Sequence, residues 1–509
     1  MKKLYNFCIY SIKTISLAIS VLVLFLVLTN RVYHPQDGGT PLQFLSQPWW
    51  FYVAFAVTAV CLVLAVRLVE KIPPKMLFAL AVIVYLAVGM FIICNIPEAI
   101  RSDQKDVFKA ALEISRGDYT RFNVGYELFK HVHNVGIATF YSLLVRINES
   151  TKFSFGINLL LIAAANWFIY KLSDRLFGEN TTVNYTIIFS FAFIQQLLYL
   201  VFIYGNVPGF AFVVAMVYFL AKMDESITEN NTTKTIIFAV LAVVASSCAI
   251  LLRRNYLIAV VAAVIIIFLR FLKDKKVIGV AVAAILLVSI VLPQNILLDY
   301  YEDKSGQTLE GIPMVLYVAM GLQEDDLAPG WYNGYNNDVF NATGFDVEKS
   351  AEIGRENIKE RLSYFAENPG YTYNFFKQKI ISTWCEPTCQ AVNSGPKESA
   401  GQVVEQPLLH NLYTGGTVYK LVYLVCNIVI ANLLLFSTVY QLKTFKGGNI
   451  NLWTLFPILF FVGGFIFHLV WETKSRYVWG YYLMLAPLAA NGIQIVADKL
   501  KKYKSKLIF

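Results

Sequence analysis

Charged side chains are what this sequence has least of. Asp, Glu, Lys and Arg make up 15% of its 509 residues and hydrophobic residues 57%. The mean hydropathy is +0.54. A soluble domain carries nearer a quarter charged residues, so composition alone sets this chain apart from that class. Also missing is the alternation of apolar and polar residues that a membrane-spanning strand requires, which argues against a barrel. No small-residue cleavage site closes the apolar stretch after Met1-Lys2-Lys3, so that stretch is read as a retained first span. No internal repeat or low-complexity tract is evident. The seven cysteines form no disulfide framework: Cys8, Cys61, Cys94, Cys248 and Cys426 lie in or beside apolar segments. Cys385 and Cys389 make one CxxxC pair, which alone identifies neither a bridge nor a metal site.

What is present is a series of long apolar runs, such as residues 17–29, 53–66 and 277–292. Each is near the length that crosses hydrocarbon as a helix. Spans are expected near 8–29, 49–69, 76–96, 131–147, 153–171, 184–203, 209–222, 235–252, 256–271, 277–293, 418–441, 453–471 and 480–497. The fold expected is an all-α polytopic membrane protein. The net charge of +9 comes from Lys and Arg between apolar runs, as in 270–276 and 499–506. That is the positive-inside pattern, not a nucleic-acid-binding face. It places both termini inside and the polar stretches 97–130 and 294–416 outside. Thirteen segments cannot leave both ends on one side, so the count is 12 or 13, with the segment carrying His131 and His133 the suspect.

Three parts follow: an N-terminal membrane domain (1–293) with an outer loop at 97–130, a small mixed extracytoplasmic domain (294–417), and C-terminal spans with a basic cytoplasmic tail (418–509). The outer loop has a helical pattern. Ser102 or Asp103 can cap it, Val107, Ala111 and Ile114 share a face with Phe108 and Leu112 beside them, and Gly117-Asp118 ends it. Such a helix would lie along the membrane surface.

Candidate chemistry gathers at the outer boundary. In Arg101-Ser102-Asp103-Gln104-Lys105-Asp106, a carboxylate could take a proton from a hydroxyl; equally, Asp103 could only cap the helix. Arg253-Arg254-Asn255 puts two guanidinium groups beside hydrocarbon, which is costly unless they snorkel to headgroups or meet an anion such as a lipid phosphate. The turn Trp471-Glu472-Thr473-Lys474-Ser475-Arg476-Tyr477 is either a charged site or an interfacial aromatic belt. His133 and Asn134 could line a polar cavity or be satisfied interfacial groups. Trp331 and Tyr332 could stack on sugar rings or serve as packing.

The order of these parts resembles the GT-C superfamily of membrane glycosyltransferases, which includes the protein O-mannosyltransferases and the lipid A aminoarabinose transferases. The matching elements are the acidic first outer loop (residues 101–106, then Gly117-Asp118-Tyr119), His133-Asn134, Arg253-Arg254-Asn255, and Glu472 with Arg476-Tyr477. Met320-Gly321-Leu322, the run 330–335, and Trp384 with Glu386-Pro387 are similar to a bacterial, glycosyltransferase family 39-like branch that serves Gram-positive envelopes. One departure is Gln104, where the family often has a second acid after the Asp.

The resemblance implies transfer of a sugar from a polyprenyl-phosphate donor to a glycopolymer, lipid or protein acceptor outside the cell membrane. Chemistry on that face has no nucleotide sugar, so the donor must arrive activated and already across. Asp103 would be the base, and Arg253 or Arg254, with Arg476, would hold the lipid phosphate. Asp106, His133, Asn134, Glu472 and Tyr477 would support them, and Trp331 and Tyr332 would contact sugar or acceptor. Some relatives use a divalent cation, but no ligand set stands out here. The competing class is a transporter or flippase of a lipid-linked sugar, which would need no base and would often show internal two-fold repetition.

Overall fold

The computed structural model describes residues 1–36, 41–445 and 451–506. It is built almost wholly from helices. Nine helices among the described residues are long and apolar enough to cross a membrane: Lys2–Thr29, Pro74–Asn95, Thr151–Phe177, Asn206–Thr228, Thr232–Leu252, Arg254–Asp274, Val277–Ser305, Thr417–Thr444 and Leu452–Val470. Two further pairs qualify as single but bent spans: Asn180–Ala192 with Gln195–Val201 (42°), and Ser475–Met484 with Ala486–Lys502 (48°). The architecture is therefore that of a multi-pass membrane protein with nine to eleven such helices among the described residues. The remaining two expected segments are helical but short. Trp49–Leu64 and Val132–Val145 each span less than the roughly 30 Å of hydrocarbon that about 20 helical residues cover.

Local sequence explains the helix boundaries. The Ser150 hydroxyl accepts from the Lys152 backbone N–H to start Thr151–Phe177, and Gly178, at φ +68°, ends it. Asn231 and Asp346 cap Thr232–Leu252 and Val347–Glu367 in the same way.

Residues 294–416 contain helices and loops, with no strand among the described residues. Helices Met314–Gly321, Tyr335–Ala342, Val347–Glu367 and Pro369–Trp384 lie within this part. The strand pair lies elsewhere, Asn30–Tyr33 running antiparallel to Gln43–Ser46. The expected boundary at 294 falls inside helix Leu292–Ser305, whereas the later one coincides with the start of Thr417–Thr444.

Two features position the polar residues discussed below. Helix Asp103–Ser115 is amphipathic as its pattern predicts, burying Val107, Phe108, Ala111 and Ile114. It packs on Val135–Val145. Ser102 makes no side-chain capping bond, so the capping expected of it is not seen. The second feature is a buried loop at residues 385–397. Buried backbone must find partners, and here they come from distant segments. Gln195 Nε2 donates to the Pro387 carbonyl (2.8 Å), Gln104 Nε2 to the Ser394 carbonyl (2.9 Å), and Val32 N–H to the Cys385 carbonyl (3.0 Å). Tyr199 Oη donates to the Cys389 carbonyl, and Arg101 to the Asn393 and Gly395 carbonyls.

Candidate functional site

Close backbone approach assembles the site. A Cβ on Gly205 would lie 1.8 Å from the Leu252 carbonyl oxygen, and one on Gly136 would lie 2.1 Å from that of Leu251. Only hydrogen at these positions lets the starts of two helices meet the end of Thr232–Leu252. This contact delivers Asn134, Tyr204, Asn206 and Arg253 to one place. Asn206 Oδ1 accepts from Arg253 Nη1 at 2.6 Å, and Asn134 Oδ1 accepts from Tyr204 Oη at 2.8 Å.

Arg476 arrives from the turn before the last, bent helix pair. Its Nη2 meets Asp103 Oδ2 at 2.8 Å, bridging residues far apart in the chain. Backbone bonds fix the turn: Asn206 Nδ2 donates to the Arg476 carbonyl (3.3 Å), and Gln390 Oε1 accepts from the Arg476 N–H (3.3 Å). Two guanidinium groups lie over the Tyr477 ring, with Arg253 Cζ 5.0 Å and Arg476 Cζ 5.5 Å from its centroid. Tyr477 Oη donates to Glu472 at 3.1 Å. Asp103, Arg253, Arg476, Tyr477, Glu472 and Asn134 thus form one connected cluster. Asp103 follows Ser102, whose φ of +51° is an unfavourable backbone state for a non-glycine residue.

Electrostatics divides the acidic groups. Burial alone would raise the Asp103 carboxyl, but the Arg476 and Lys474 charges outweigh it and hold the group at about 2. Its side chain is still 41% exposed, against 16% for Arg476. Burial raises Glu472, opposed by Lys474 and Arg476. Burial and the neighbouring Arg476 lower Lys474. Glu127 is raised to about 7 by burial and by the charges of Asp106 and Asp103.

The arginines differ in their partners. Arg476 has Asp103. Arg253 has the neutral Asn206 amide and the ring faces of Tyr204 (5.7 Å) and Tyr477. Arg254 Nε is buried without a hydrogen-bond partner. The charges of Arg254 and Arg253 both act on His133, whose ring meets those of His131 (5.5 Å) and Tyr317 (6.0 Å) edge-on. Asp106 adds its charge near Glu127.

Trp331 corrects an expectation. It is 0% exposed, its Nε1 donates to Ser382 Oγ at 3.1 Å, and His34 packs against it edge-on. A ring with no free face has nothing to offer a sugar. Tyr332, the next residue, is 39% exposed, with Lys474 Nζ 4.9 Å above its ring and Asn337 donating to its hydroxyl at 2.6 Å.

Sequence reading missed several participants. Asn206, Tyr204 and Gln390 carry no motif, because uncharged polar residues are common at helix ends. Gln104, the departure from the family pattern, is buried and bonds both the Ser394 carbonyl and the Ile203 N–H (3.0 Å). An acid there could not donate to that carbonyl when ionised. Glu386 is fully buried, accepting from Thr388, Gln390 N–H and Ser475 Oγ. Through Ser475 it anchors the residue next to Arg476.

Among the described residues no group of three or more His, Cys, Asp or Glu side chains is placed to hold a metal ion. No protein family matches the chain, and no curated protein or solved structure is detectably similar to it.

Proposed function

We propose that this protein is a membrane glycosyltransferase of the GT-C kind, moving a sugar from a polyprenyl-phosphate donor to an acceptor hydroxyl on a cell-envelope glycopolymer or lipid. The observation that carries the reading is Arg253. Among the described residues its guanidinium has an amide and two aromatic faces as partners, and it shares the Tyr477 ring with Arg476 of the Asp103–Arg476 ion pair. A half-buried cation with no carboxylate partner among the described residues attracts an anion. A phosphodiester next to a lipid tail supplies one, and guanidinium groups grip it bidentately. The distribution of Lys and Arg between apolar segments supports an extracytoplasmic site.

In this reading the lipid phosphate binds between Arg253 and Arg476. It competes with Asp103 for Arg476, and Asp103, relieved of the larger of the two charges that depress it, becomes more basic. The acceptor oxygen attacks the anomeric carbon from the face opposite the phosphate, inverting the centre. The carbon–oxygen bond to phosphate breaks and its electron pair leaves on the phosphate. Asp103 takes the hydroxyl proton in this step, and the arginines stabilise the charge on the departing phosphate. Tyr332, with Lys474 over its ring, stands at the exposed edge where an acceptor would enter.

Purified protein in lipid nanodiscs, given a panel of polyprenyl-phosphate hexoses and an envelope glycopolymer, is expected to release polyprenyl phosphate. Arg253→Gln should raise the donor KM on the order of a hundredfold, the cost of truncating a desolvated charge contact. Asp103→Asn should abolish turnover. Movement of the donor across a bilayer with no bond cleavage would instead make the protein a transporter.

A further inference from the structure

Resting on the transferase reading above, we propose that His468 is a positioning residue for donor binding, acting through the Tyr477 ring over which Arg253 and Arg476 lie. His468 is in the last turn of helix Phe456–Val470. Its imidazole stacks on the Tyr477 ring, with centroids 5.6 Å apart and planes 22° from parallel.

Helical spacing makes the contact. Gly464 and His468, four residues apart, share one face of Phe456–Val470. A Cβ on Gly464 would lie 2.5 Å from the Tyr481 ring, so glycine there lets the two segments close up. Tyr477 and Tyr481, also four apart, meet that face: Tyr481 packs edge-on against His468 at 6.1 Å, and Tyr477 stacks on it. His468 is 2% exposed, and neither of its ring nitrogens has a hydrogen-bond partner among the described residues. What it gives its surroundings is therefore a ring face, not a hydrogen bond.

That face supplies what the Tyr477 ring otherwise lacks. The main chain of the turn is fixed elsewhere: Thr473 N–H donates to the Gly330 carbonyl at 2.9 Å, and Arg476 N–H to Gln390 Oε1 at 3.3 Å. The tyrosine side chain is held at its tip, where the hydroxyl donates to Glu472 at 3.1 Å. The hydroxyl lies on the axis about which the ring rotates, so this bond does not set the plane of the ring. A stacked partner does. Rotation would carry the ring face away from Arg253 (5.0 Å) and Arg476 (5.5 Å). By holding the plane, His468 fixes where the two guanidinium groups rest, and with them the gap that takes the lipid phosphate.

The test is steady-state release of polyprenyl phosphate from the donor that supports turnover, with donor and acceptor varied separately. His468→Leu and His468→Gln remove the ring. Each should raise the donor KM on the order of tenfold, through misplaced arginines, and leave the acceptor KM unchanged. Either suffices if the other does not accumulate. His468→Phe keeps a stacking ring without the nitrogens and should hold the donor KM near wild type. In a Tyr477→Leu background His468→Leu should add nothing further, because a residue that acts through another has no independent effect. A wild-type donor KM without the ring, a His468→Phe enzyme as impaired as His468→Leu, or full additivity with Tyr477→Leu overturns this inference and leaves the transferase standing. A wild type that releases no polyprenyl phosphate overturns both.

Discussion

At the scale of single residues, function here depends on which charges are matched. Asp103 and Arg476 neutralise one another, whereas among the described residues Arg253 is matched by neutral groups. An ion pair is removable by a competing anion, and an unmatched cation attracts one, so together they favour exchange of partners. Trp331 belongs to a different category. Sequence presents it beside Tyr332 as an aromatic pair, yet neighbouring residues in a loop can point to opposite environments. Trp331→Phe should cost about 1 kcal/mol, the usual net value of one hydrogen bond, here that to Ser382. It should leave transfer intact. A thermal melt of the detergent-solubilised protein alongside a turnover assay checks both. A large loss of activity at unchanged stability would return Trp331 to the site.

At the scale of elements, the site depends on how closely helix ends approach. Gly205 and Gly136 abut backbone carbonyls of Leu252 and Leu251, immediately before Arg253. Carbonyl oxygens in a packed helix end cannot swing aside as a flexible side chain can. Gly205→Ala should therefore displace Arg253 from Asn206 and reduce turnover at least tenfold, chiefly through a raised donor KM, while the protein still inserts. Donor titrations on the purified variant measure this; an unchanged KM would show that the helix end yields freely. The buried 385–397 loop works in a related way. Side chains from residues 101, 104, 195 and 199 satisfy its carbonyls. It fastens the start of helix Asp103–Ser115, the bent pair that contains Gln195–Val201 and the Arg476 turn together.

At the scale of the whole molecule, orientation decides which compartment the cluster meets. The positive-inside pattern puts Asn333 outside and Lys501 inside. Single cysteines introduced at these positions, in a background lacking the seven native ones, should react differently with a membrane-impermeant maleimide on intact cells. Asn333→Cys should label and Lys501→Cys should label only after lysis. The opposite pattern would place the cluster in the cytosol, where nucleotide-activated donors are at hand, and would remove the reason for a polyprenyl-phosphate donor.

Much of this was legible in the sequence because the bilayer imposes a local rule. Each spanning segment must satisfy its own backbone, so a run of about 20 apolar residues is read as a helix without reference to the rest of the chain. The amphipathic helix at Asp103–Ser115 was legible for the same local reason, its period of 3.6 residues. Arg253 and Arg476 stood out because charge is rare and misplaced there. Local patterns do not report which helix ends meet. Only the packed structure joined Asp103 to Arg476 across most of the chain, buried Trp331, and turned Gln104 into a structural tie. Those outcomes depend on contacts between residues remote in sequence, where burial and neighbouring charge, not residue type, decide what a side chain can do.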